Sequence, residues 1–150
     1  MTLMSDHNLA LATTRGWRFY SWFSPFPIAF FVGALVTDLV YWGAPDVMWE
    51  TFSVWLITAG LIMAGVSIVA ALIDLAGRSR HPTPIVVWPQ VLITAVALVL
   101  ALINAFVHSR DGYTAVVPTG LILSTLVVVI LLGAAWMRRE TTNRNVGVLK

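Results

Sequence analysis

Few side chains in this sequence are equipped for chemistry, and most of them sit in otherwise apolar stretches. Asp38 lies about one helical turn before Trp42, so the rise of a helix puts it ~6 Å below that end. Asn104 and His108 are four residues apart in a later apolar stretch and share one face if that stretch is helical. Read as membrane spans, the two stretches carry all three groups at a similar depth, with Thr37 and Thr119 close by. An ionisable group at that depth is costly without a partner. The Asn amide and a ring nitrogen of His can both donate to a carboxylate. The readings are an outer-side polar cluster of Asp38, Asn104 and His108 that binds a ligand or a proton, a hydrogen-bonded clasp, or an Asp near enough to the surface to stay solvated. Separately, Asp74 and Arg78 stand four residues apart, followed by Arg80 and His81. That spacing predicts a structural ion pair holding a tight loop.

Catalytic patterns are absent from the sequence. It contains no HExxH, no GxSxG, no P-loop and no Gly-rich dinucleotide turn. With no cysteine, a disulfide framework, a thiolate metal site and a Cys nucleophile are excluded. The histidines are His7, His81 and His108. His81 and His108 would lie ~40 Å apart along one helix and cannot share an iron in one chain. No metal or cofactor is therefore expected; haem or quinone would require partner subunits.

The elements that position these groups follow from composition. Of 150 residues, 59% are hydrophobic and 11% charged, against about 25% charged in a soluble domain, and the mean hydropathy is +0.86. The net charge of +2 forms no basic stripe, so nucleic-acid binding is not expected. Apolar runs at residues 26–42, 52–75, 84–107 and 115–137 are of the ~20-residue length that crosses a bilayer. The expectation is an all-α membrane protein, a four-helix up-down bundle joined by short loops, between an interfacial segment at 1–24 and a tail at 138–150. Aromatic residues at the predicted ends, among them Trp22, Trp42, Trp49, Trp55, Trp88 and Trp136, match headgroup belts. Arg15, Arg18, Arg78, Arg80, Arg138, Arg139, Arg144 and Lys150 fall on one side and Arg110 alone on the other. That bias predicts cytoplasmic N- and C-termini.

Lipid gives helices no hydrophobic reason to associate, so small residues that allow close approach mark packing faces. Candidates are Gly33 and Ala34; Gly60, Ala64, Ser67 and Ala71; Ala97, Ala101 and Ala105; Gly133 and Ala134. They suit bundle packing or self-association. Pro89 predicts a modest kink in the third span.

At this point the chain resembles a family of bacterial four-helix membrane proteins, grouped as a domain of unknown function and described only as predicted membrane proteins. The likeness rests on Pro25-Phe26-Pro27-Ile28-Ala29, Val32-Gly33-Ala34-Leu35 through Asp38-Leu39, Ala71-Leu72-Ile73-Asp74, Leu102-Ile103-Asn104 with Arg110, Gly133-Ala134-Ala135, and Asn145-Val146-Gly147-Val148. Histidines of the family pattern are missing: Pro25 and Arg144 stand where two of them would fall. The resemblance implies residence in the bacterial cytoplasmic membrane and an accessory or anchoring role beside membrane-bound dehydrogenases and cytochromes. It implies no haem or metal held through the missing histidines.

The expected function is a small non-catalytic membrane subunit or scaffold of a larger complex, respiratory or oxidoreductase in kind. Its partners are lipid and other membrane subunits or a second copy. The alternatives are a quinone- or haem-linked electron-transfer protein, using the outer cluster with Trp42 or Trp49, and a small transporter. A transporter would need more polar lining than these spans offer.

Overall fold

The structure is a computed structural model that describes residues 19–76, 88–109 and 116–147, with the backbone alone for 138–147. A short helix α1 (Phe19–Phe23) leads into α2 (Pro25–Gly43), α3 (Val47–Ala76) and α4 (Trp88–His108). A wide turn at Val116–Gly120, containing a cis Val117–Pro118 bond, then opens α5 (Leu121–Gly147).

Local chemistry sets these boundaries. Proline stands in the first turn of α2, where a missing amide costs nothing. Pro45 stops the chain from continuing past Gly43. Asp46 then caps α3, its Oδ1 accepting the Met48 amide at 2.8 Å. The connection between α2 and α3 is so short that the two helices must run antiparallel.

Among the described residues, four helices are long and apolar enough to cross a membrane: Tyr20–Gly43, Val47–Ala76, Trp88–His108 and Val116–Met137. The second, at 30 residues, measures ~45 Å by helix rise and exceeds the ~30 Å hydrocarbon layer. The first begins earlier than its apolar run because α1 joins it, and the second begins at Val47 because of the Asp46 cap. Pro89 is the second residue of α4. The carbonyl four residues back belongs to Ile85, so the kink expected at Pro89 falls outside the described residues.

The helices form a ring in chain order. Helix α2 packs on α3 and α5, and α4 packs on the same two, so α2 and α4 lie across a diagonal. The core between them holds Phe31, Ala34, Ile57, Ala97, Ala101, Val127, Val128 and Leu131. Small residues bring the backbones close. A Cβ on Gly60 would stand 2.8 Å from Cε1 of Phe31, so that ring needs a glycine opposite it. Ala64, Ser67, Ala70 and Ala134 are also buried, whereas Gly133 faces open space and takes no part in packing. Outward faces are apolar, with Ile62, Leu72, Leu92, Phe106 and Val129 exposed. Trp22, Trp42, Trp55, Trp88 and Trp136 are each exposed by more than 60%, as interfacial aromatics require.

Candidate functional site

Asp38 sits five residues before the end of α2, and its side chain is completely buried. Its location follows from the ring: a polar group turned inward near one end of the bundle can be met by every other helix. Ser53 of α3 donates to Asp38 Oδ1 through a very short hydrogen bond. Ser124 of α5 donates to Oδ2 at 2.5 Å. His108, the last residue of α4, brings Nε2 to 3.1 Å from Oδ1. One carboxylate thus joins α2 to all three other spans, including α4 across the diagonal.

The partners are held in turn. His108 donates from Nδ1 to the Asn104 carbonyl at 3.0 Å, one turn back along its own helix. Ser53 also stands 3.4 Å from His108 Nε2. Asn104 donates from Nδ2 to the Ser124 hydroxyl at 2.8 Å. Ser53, Asn104, His108 and Ser124 are all buried. Gly120 makes room for the imidazole, since a Cβ there would stand 2.6 Å from His108 Cε1. Glu50, half-buried in the first turn of α3, interacts electrostatically with His108.

Asp38, Asn104 and His108, expected together from depth and spacing, do come together. Trp42 does not join them; it is 64% exposed on the outside of α2. Trp49 is half-buried beside Phe52, with ring centroids 6.3 Å apart. Thr37 is buried but turns back on its own helix, donating to the Ala34 carbonyl at 2.8 Å, and Thr119 is exposed. Among the described residues, no group of three or more His, Asp or Glu side chains is placed to hold a metal ion.

Ser53 and Ser124 escape sequence reasoning. In an apolar helix a hydroxyl ordinarily bonds the carbonyl one turn back. Thr51, Thr58, Ser67, Thr94 and Thr125 all do so here. Nothing in the sequence separates Ser53 from Ser67. The only available signal was the need of Asp38 for more donors than Asn104 and His108 supply.

At the opposite end, Asp74 Oδ2 accepts the Tyr20 amide at 3.2 Å, which ties α3 to α1. Arg78, expected to pair with Asp74, lies outside the described residues, as do Arg80 and His81. Gln90 ties α4 to α5 there, donating to the Ala134 carbonyl at 3.1 Å.

With this geometry in place, residues 19–147 match the model of a family described as predicted membrane protein (DUF2231). The chain belongs to that family. The match takes in all four spans and every residue of the Asp38 cluster. No curated protein and no solved structure matches the chain.

Proposed function

We propose that this DUF2231 chain is a small non-catalytic subunit or scaffold of a larger complex in the bacterial cytoplasmic membrane. In this reading both termini are cytoplasmic, as the bias of Arg and Lys favours, and the Asp38 cluster lies near the outer surface. The supporting observation is the use made of Asp38. Its carboxylate is met by Ser53, Ser124 and His108 from the three other spans, which makes it a lock on the bundle rather than a group facing a substrate. A locked bundle presents rigid apolar faces, rimmed by Trp55, Trp88 and Trp136, to lipid and to neighbouring spans.

The test is purification of the tagged full-length chain in mild detergent from its own host. The expected result is a membrane partner at fixed stoichiometry that is retained by Asp38→Asn, together with loss of assembly of that partner's complex when the chain is deleted. Recovery of the chain alone, with no complex altered by its deletion, would refute the proposal.

A further inference from the structure

Hydrogen-bond bookkeeping inside the cluster leads beyond a lock. Ser124 has one hydroxyl hydrogen and gives it to Asp38 Oδ2. The atom that meets the Ser124 oxygen from Asn104 must then be a donor, which sets the amide with Nδ2 toward Ser124 and Oδ1 away from it. Asn104 Oδ1 is consequently a buried acceptor without a donor among the described residues. Such a group calls for a donor of its own, and a bound water is the smallest that serves.

The same counting applies to His108. Its Nδ1 faces the Asn104 carbonyl, which can only accept, so Nδ1 carries a hydrogen. One position is then left between Nε2 and Asp38 Oδ1. With a proton on Nε2 the pair is neutral overall, an imidazolium beside a carboxylate that accepts from both serines. Without it the pair carries one negative charge.

We propose that the Asp38–His108 pair is a membrane-embedded binding site for one exchangeable proton, and that Asn104 Oδ1 seats the water through which that proton passes to the nearer membrane surface. On release the proton moves from the pair to this water as hydronium, and no other bond forms or breaks. Around His108, α2 contributes Asp38 and α3 contributes Glu50. Among the described side chains, helix α5 contributes the Ser124 hydroxyl, by way of Asp38 and Asn104. Arg110, Asp111 and Tyr113 follow in the segment outside the described residues. Glu50, half-buried and on the solvent side of Ser53 in α3, is the acid placed to receive the proton at the surface.

Nitrogen-15 NMR of the histidines tests this in the full-length protein in lipid nanodiscs. His7→Gln and His81→Gln leave His108 as the only signal. Between about pH 4 and about pH 10, a range wide enough for a perturbed imidazole, Nδ1 should stay protonated while Nε2 passes through one single-proton step. Asp38→Asn should abolish that step and leave Nε2 unprotonated, because an amide nitrogen at the Oδ1 position would donate to it. A contact between bulk-exchanging water and the Asn104 side chain should be visible in the parent protein. Asn104→Leu should slow exchange of the Nε2 proton at least about tenfold, the effect of an added barrier of ~1.4 kcal/mol. Titration at Nδ1, an Nε2 state that does not change with pH, or a step that survives Asp38→Asn would overturn the proton site. An Arg110 side chain in contact with Asn104 in place of water would overturn the water seat.

Discussion

Asp38 converts a cost into a constraint. A carboxylate inside a span is expensive alone, and here the penalty is offset by Ser53, Ser124 and His108. Interhelical hydrogen bonds in membranes average ~0.6 kcal/mol each, whereas removing one member of a buried pair costs ~3–5 kcal/mol in soluble proteins. Asp38→Leu, which leaves three buried polar groups without their acceptor, should therefore lower stability by about 2–5 kcal/mol in reversible detergent unfolding. Asp38→Asn should cost less than about 1.5 kcal/mol, the scale of one net hydrogen bond. The Asn oxygen can still accept from Ser124, and its amide can donate to a neutral His108 and to Ser53. Equal losses in the two variants would show that side-chain volume, not the hydrogen-bond network, holds this end together. His108 supports a second prediction. One of its nitrogens faces Asp38 and the other the Asn104 carbonyl, which leaves no nitrogen for iron. The purified chain should show no Soret absorption after incubation with haem; a band lost in His108→Ala would contradict this arrangement.

At the scale of elements, close contact depends on particular glycines. Gly120 opens α5 directly against the His108 ring, and Gly60 of α3 lies against Phe31 of α2. Both neighbours are rings held on all sides by the bundle, so neither can step aside cheaply. Gly120→Ala and Gly60→Ala should each destabilise by ~1–3 kcal/mol, the usual cost of overpacking. Gly65 lies on the same helix as Gly60 but has nothing within 4 Å. Gly65→Ala should be neutral or stabilising by up to about 1 kcal/mol through helix propensity. Thermal denaturation of the three variants in one detergent distinguishes packing from propensity. A loss for Gly65→Ala as large as that for Gly60→Ala would contradict the assigned faces.

For the whole molecule the question is which end faces which compartment. Four spans among the described residues predict that the two ends of the bundle's chain share one side, and the distribution of Arg and Lys predicts that this side is cytoplasmic. Because the chain has no cysteine, single introduced thiols report without background. Asp46→Cys, in the connection between α2 and α3, should react with an impermeant maleimide in intact cells. Ser5→Cys, Ser79→Cys and Thr141→Cys should react only after permeabilisation. The reverse pattern would turn the molecule over and place the Asp38 cluster at the inner surface.

The number of apolar helices and the all-helical class were legible because they depend on apolar length, which is a local property of a sequence. Asp38, Asn104 and His108 were legible as a group for a related reason. Polar residues in apolar helices are few, and helix rise gives their depth. Tertiary structure decided what depth alone cannot: the rotation of each helix about its axis and the order of the helices around the ring. Those two choices turned Ser53 and Ser124 toward Asp38 while Ser67 and Thr125 bond within their own helices. They also set Trp42 outside the cluster and Gly133 away from the packing faces. The physical reason is that the spans are apolar nearly all round, so hydrophobic periodicity hardly distinguishes one face from another. Only contacts between side chains distant in sequence choose the inward face.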